Sequence, residues 1–164
     1  MRYTQAITQK IMPLAAVKAM RMGWKMRNKY VAFTNGCFDI LHEGHIASLS
    51  KAAEEADYLI VGVNSDASTK RLKGPERPIN HEHSRALILA SLLIVDAVVI
   101  FEEDTPLELI KVLEPDVLVK GGDYTIDTIV GAKEVLANNG RVVINPIIEG
   151  FSTTSILQKI RQLG

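Results

Sequence analysis

Tyr30-Val31-Ala32-Phe33-Thr34-Asn35-Gly36-Cys37-Phe38-Asp39-Ile40-Leu41-His42-Glu43-Gly44-His45 is the stretch that decides the fold. Tyr30 to Phe33 are β-branched, aromatic and apolar enough for a buried strand. After His45, Ile46, Leu49, Ala52 and Ala53 recur at helical spacing. Gly36 and Gly44 bracket the turn between them, so a strand passes through a glycine-bearing loop into a helix N-terminus. Unpaired backbone N–H groups and the positive end of the helix dipole converge there and favour an anion before any side chain contributes. His42 and His45, three residues apart, share one helical face at that end.

Working outward, apolar runs recur at Tyr30–Thr34, Tyr58–Asn64, Val95–Phe101, Asp116–Lys120 and Arg141–Asn145, with helical periodicity between them. Leu59-Ile60-Val61-Gly62-Val63 and Ala97-Val98-Val99-Ile100 lack in–out alternation, as strands covered on both faces do. The expected fold is α/β: a single doubly wound, Rossmann-like domain with a five-stranded, mostly parallel sheet. Thr105-Pro106-Leu107-Glu108 predicts a helix capped by Thr105 with Pro106 in its first position and Leu109, Ile110 and Leu113 facing inward. Lys70 to Asn80, carrying Lys70, Arg71, Lys73 and Arg77 among Gly74, Pro75 and Pro78, is expected to be an exposed, mobile loop. In such a sheet ligands settle beyond the carboxyl ends of the strands, where the loops after Thr34, Asn64 and Lys120 open.

The 164 residues, 47% apolar and 23% charged, suit one globular domain with a real core. Nineteen basic residues balance nineteen acidic ones, so the general electrostatic drive toward nucleic acid is missing and small-molecule substrates are expected. Cys37 is the single cysteine, which excludes an internal disulfide framework and fits a reducing compartment. Asp39 is the first acidic residue, leaving a basic arm over residues 1–28 ahead of a domain expected over 29–164. Ile7, Ile11, Leu14 and Val17 make a helical stripe there, and the uncharged stretch around Pro13 is too brief for an export signal or a membrane span.

Three other readings of the histidine pair carry less weight. Zinc helices usually present histidines at i and i+4 with a third ligand nearby; here the spacing is i and i+3 and no ligand cluster completes a set, so no metal site is expected. A Cys37–His42 nucleophilic dyad would need an oriented base and an oxyanion hole. Two histidines merely beginning a helix leave the two glycines as an ordinary turn. No G-x-x-x-x-G-K-[ST] run and no G-x-G-x-x-G after a strand is present, which disfavours kinase and dehydrogenase readings.

Phe38-Asp39 followed by His42-Glu43-Gly44-His45 resembles the signature of the nucleotidyltransferase family that includes the glycerol-phosphate cytidylyltransferases. Glu149-Gly150-Phe151-Ser152-Thr153-Thr154 resembles the Ser-Thr-Thr motif that opens the family's last helix. Gly62-Val63-Asn64-Ser65-Asp66, Leu72-Lys73-Gly74 through Arg77-Pro78-Ile79-Asn80, and Val119-Lys120-Gly121-Gly122-Asp123-Tyr124 follow in the same order as in its heptose 1-phosphate adenylyltransferases. The resemblance implies transfer of AMP from ATP, with Mg²⁺ on its phosphates, to a heptose 1-phosphate. The alternatives are a cytidylyltransferase acting on an alcohol phosphate such as glycerol phosphate, or a non-catalytic nucleotide sensor. It implies His42, His45, Lys73 and Arg85 as catalytic residues. Thr34, Asn35, Gly36, Cys37, Phe38, Gly44, Lys120, Gly122, Asp123, Ser152, Thr153 and Thr154 would form the nucleotide site, and Asp39, Asn64, Asp66 and Arg77 would hold substrate. It further implies a cytoplasmic enzyme, a homodimer, no membrane and no nucleic acid.

Overall fold

The computed structural model describes residues 4–122, 124–146 and 152–163. Five strands form one sheet: β1 (Val31–Gly36), β2 (Tyr58–Asn64), β3 (Ala97–Phe101), β4 (Val117–Gly121) and β5 (Arg141–Asn145). Every pairing is parallel and the order is β3-β2-β1-β4-β5, so winding reverses beside β1 and leaves a crevice at its carboxyl end. The fold is therefore the α/β architecture expected, and the parallel ladder is complete across the sheet.

Alternate strand residues divide the core into two layers, as the two-residue period of a strand requires. Val31, Phe33, Ile60, Val99 and Leu118 pack with Leu109, Ile110 and Leu113 of α6 (Leu107–Leu113) and Val135 of α7 (Ala132–Ala137). Ala32, Leu59, Val61, Val63, Val98 and Val119 pack on the other face, with Leu49 and Ala52 of α3 (Glu43–Glu54) and Ala86, Leu89 and Ala90 of α5 (Glu82–Ala90). Burial on both faces explains why these strands read as unbroken apolar runs.

The N-terminal segment departs from a single amphipathic helix. It forms α1 (Gln5–Thr8) and α2 (Leu14–Met26), separated at Pro13, and Ile11 bridges Val98 at the edge of the sheet. Met12 N–H donates to Val98 O at 3.0 Å and Val98 N–H to Lys10 O at 2.8 Å, so the segment covers the open edge of β3. Proline's missing N–H and its restriction on the preceding residue forbid one continuous helix through this stretch. Val17 is fully buried, and Trp24 stacks on Tyr58 with ring centroids 4.1 Å apart. Residue 28 thus marks a change in composition and not a break in the packing. Arg21, one of the basic residues of the arm, is buried and bonds Glu114 O and the Asp116 carboxylate.

Two local expectations are corrected. Helix α6 starts at Leu107 with Pro106 in the capping position and no side-chain cap, one residue later than Thr105 predicted, because Ile110 N–H already bonds Pro106 O. The basic stretch is not one mobile loop either: α4 (Asp66–Lys73) absorbs its first part, and residues 74–80 are tied down by Asp39.

Candidate active site

His42 caps α3 in an extended conformation, and His45 N–H donates to His42 O at 2.9 Å, which closes the first turn. The two imidazoles stack with centroids 3.8 Å apart, and the edge of Phe38 meets His45 at 5.3 Å. The Nδ1 atoms of both rings are buried, and among the described residues neither has a partner in hydrogen-bond geometry. Burial, and then the neighbouring His42, push His45 down to about 4, with a backbone interaction at Ile40 pulling the other way; burial lowers His42 too. Both rings are thus neutral near pH 7, and a bound polyanion would draw them toward protonation.

At the far end of the chain Ser152 caps α8 (Thr153–Gln162), its hydroxyl oxygen accepting Ser155 N–H at 3.0 Å. That leaves the Ser152 O–H and the first N–H groups of α8 able to donate outward. The N-termini of α3 and α8 line one cavity of about 440 Å³. Thr34, Asn35, Gly36, Cys37, Phe38, Asp39, His42, His45, Lys73, Arg77, Lys120, Ser152, Thr153 and Thr154 all reach its wall, and Ser48, Leu49, Gly121 and Tyr124 complete it. A second cavity of about 340 Å³ shares Asn35, Gly36, Cys37, Lys73, Lys120 and Tyr124 with the first and adds Asn64, Asp104, Thr105, Thr128 and an apolar side of Leu118, Ile129 and Val130. The two are lobes of one cleft, joined at the end of β1 and β4.

Lys120 Nζ donates to Asn35 Oδ1 at 3.2 Å at this junction, and burial lowers its pKa, with nearby Lys73 acting in the same direction and Cys37 against. Partial desolvation makes a charge strong toward phosphate, because little water competes.

Other predicted residues stand behind the walls, or reach them with their bonds already taken. Arg85 does not line the cleft: its side chain is fully buried and donates to Cys37 O at 2.5 Å, Asn80 O at 2.9 Å and Asp66 at 2.8 Å. Asp66 accepts Arg85 and His81 and lies outside both lobes; burial pushes its carboxyl up, but these bonds outweigh it and hold the pKa below the usual range. Asp39, 2% exposed, accepts Ile79 N–H at 2.8 Å, Asn80 N–H at 2.9 Å and Arg77 Nε at 2.5 Å. Burial acts to raise its pKa, yet Asn80, Ile79 and Arg77 together keep it low and ionised. Its oxygens are therefore spent on pinning residues 77–80 against the turn that follows β1, and the Arg77 charge is already paired. Asn64 donates to Ser68 Oγ at 3.0 Å and reaches only the second lobe. Gly44 lies in the first turn of α3 and lines neither lobe. Asp123, and Glu149, Gly150 and Phe151 of the last motif, lie outside the described residues.

Tyr124 and the wall from Asp104 to Pro106 stand in stretches whose sequence was read, but that reading gave them no place in the site. The second had a signal, since any loop after a parallel strand opens at the carboxyl edge, and Phe101 ends β3 there. Among the described residues no group of three His, Cys, Asp or Glu is placed to hold a metal ion, and no helix is long and apolar enough to cross a membrane.

A parallel sheet with a histidine-led helix and a Ser-Thr-Thr helix facing one cleft is a nucleotidyltransferase arrangement, and residues 33–159 match the Cytidylyltransferase-like family, to which this chain belongs. Among individual relatives it is 57% identical over 150 residues to the bifunctional protein HldE of Mesorhizobium japonicum, covering 90% of this chain and 30% of that protein. It is 53% identical over 151 residues to the bifunctional protein HldE of Paramagnetospirillum magneticum, covering 92% of this chain and 31% of that one. The chain spans about a third of the length of the curated relatives it matches. A solved lipopolysaccharide core biosynthesis protein from Thermoplasma volcanium superposes with a TM-score of 0.58 at 28% identity, over 73% of this chain and 97% of that one. Pantothenate synthetase from Thermus thermophilus shares the fold, with a TM-score of 0.61 at 17% identity over 94% of this chain and 70% of that one.

Proposed function

We propose that the chain is an adenylyltransferase that transfers AMP from ATP to D-glycero-β-D-manno-heptose 1-phosphate, giving ADP-heptose and pyrophosphate for a surface glycan such as a lipopolysaccharide core. The observation that carries this reading is the two-lobed cleft, in which two helix N-termini remote from each other in sequence line the first lobe and two lysines stand where it meets the second. The similarity to HldE supports the choice of ATP and heptose over CTP and glycerol phosphate.

In the proposed reaction an oxygen of the sugar phosphate attacks the α-phosphorus of ATP in line. The bond from the α-phosphorus to the bridging oxygen breaks, and pyrophosphate leaves with the electron pair. The nucleophile is already ionised, so no strong base is required; the protein must align two polyanions and neutralise charge on the leaving group. His42 and His45 would donate to the α and β phosphates, the N-terminus of α8 with Ser152, Thr153 and Thr154 to the outer ones, and Lys73 and Lys120 would hold both reacting phosphates at the junction of the lobes. Arg85, Asp66 and Asp39 act behind them as positioning residues. Mg²⁺ would be carried by the ATP phosphates and would supply charge neutralisation there: the Asp39 oxygens are taken by Ile79, Asn80 and Arg77, and among the described residues no carboxylate cluster forms a dedicated cage. The substrates are small molecules, with no part for nucleic acid or membrane, and the reading takes the chain as a cytoplasmic homodimer.

Pyrophosphate release measured with ATP and heptose 1-phosphate, in parallel with CTP and glycerol 3-phosphate, tests the proposal. Turnover with the first pair alone is the expected result. Turnover with the second pair alone transfers the chain to the cytidylyltransferases, and nucleotide binding without release in either makes it a sensor.

A further inference from the structure

Tyr124 lines both lobes of the cleft yet is 46% exposed, an unusual position for a large aromatic side chain inside a charged site. Its ring is held in place by two neighbours. Lys120 Nζ lies 5.9 Å from the ring centroid, within cation–π range. Gly122, with φ +130°, packs against the ring edge so tightly that a Cβ there would stand 2.8 Å from Tyr124 Cε2. The glycine at 122 therefore makes room for a tyrosine and not for a ligand directly. A ring beside a cation and packed on a glycine whose left-handed backbone strains any replacement is a prepared surface.

The phosphate-facing groups His42, His45, Ser152, Thr153 and Thr154 belong to the first lobe alone, whereas the wall that continues from Tyr124 through Thr128, Ile129 and Val130 belongs to the second. The geometry points to Tyr124 as a specificity-determining residue for the acceptor: its ring is the platform on which the carbon face of the sugar packs while Lys120 beside it takes the sugar's phosphate. Carbohydrate rings carry C–H-rich faces that suit an aromatic surface, and a three-carbon alcohol phosphate has too little of one to gain from it. This role rests on the proposed function and names which part of the substrate the residue selects.

The test compares wild type, Y124A and Y124F. Acceptor and ATP KM values come from pyrophosphate release. Acceptor affinity is also measured by calorimetry, titrating D-glycero-β-D-manno-heptose 1-phosphate into protein saturated with a non-hydrolysable ATP analogue. Loss of one aromatic contact predicts an acceptor KM and Kd raised about tenfold in Y124A, ATP values within about twofold, and near wild-type behaviour in Y124F. An unchanged acceptor Kd in Y124A overturns the platform, as does a loss confined to ATP, which would make the ring a nucleobase contact. Wild type that binds both ligands without releasing pyrophosphate overturns the proposed function, while the calorimetric contrast still decides the role of Tyr124. Wild type that fails to bind the sugar phosphate overturns both.

Discussion

Replacing Arg85 by lysine tests whether this residue holds the site together or reaches the substrate. The guanidinium joins the turn after β1 at Cys37 O, the loop at Asn80 O and the helix α4 residue Asp66, with its side chain wholly out of solvent. A lysine keeps the charge but has a compact head that cannot fork to three acceptors, so about two charge-assisted bonds are lost, each worth about 1.5–3 kcal/mol. Asp66 is 27% exposed and recovers part of its loss from water, which brings the expected cost to about 3 kcal/mol. For a chain of this size that is a fall in Tm of roughly 6–12 °C. Circular dichroism melts read the stability, and ATP titration at a temperature well below both transitions reads the site. Turnover should fall together with a raised ATP KM, because the turn carrying Cys37 loses its brace. An unchanged Tm with turnover lost by about a hundredfold would refute the reasoning and return Arg85 to direct phosphate contact.

His45→Ala should lower kcat by about 10²–10³ while the far-UV spectrum stays that of the wild type; undiminished turnover would exclude a catalytic role. Ser152→Ala removes the cap that accepts Ser155 N–H, costing about 1 kcal/mol of α8 stability, and should weaken ATP binding more than it lowers kcat. His45 also predicts a pH dependence. Its folded pKa of about 4 lies below the ordinary 6.5, so the unfolded chain binds a proton that the folded one refuses. Its contribution to stability is therefore complete above 6.5 and is lost as pH falls toward 4, by at most about 3 kcal/mol and less with solvent screening. Urea unfolding at pH 7 and 5 should show a smaller loss in His45→Ala than in wild type, and equal losses would contradict the assignment.

Much of the scaffold could be read from the chain because its signals are local. β2 and β5 match their apolar runs from end to end, and the turn from Gly36 to His45 lies where strand chemistry meets a helical repeat. The positioning residues were illegible for a physical reason. Arg85 and Cys37 are 48 positions apart, and Asp39 and Asn80 are 41, so nothing in either neighbourhood reveals that a buried charge spends its bonds on another segment. A basic stretch in sequence accordingly looks like an exposed, mobile loop until Asp39 is seen to hold it. The N-terminal stripe misled in the opposite sense: Ile11 has the spacing of a helical residue, yet its neighbours Met12 and Lys10 pair their backbone with Val98 at the open sheet edge, just before Pro13 interrupts the helix. The part Tyr124 plays was concealed because its tight contact with Gly122 is displayed only by the folded chain.

The central claim is that the N-termini of α3 and α8 together cradle a triphosphate. A crystal structure of the chain with a non-hydrolysable ATP analogue measures this directly. The account predicts the phosphates between the two helices, with His42 and His45 on one side and Ser152, Thr153 and Thr154 on the other, each within hydrogen-bond distance. An analogue bound elsewhere, touching neither helix, would contradict it.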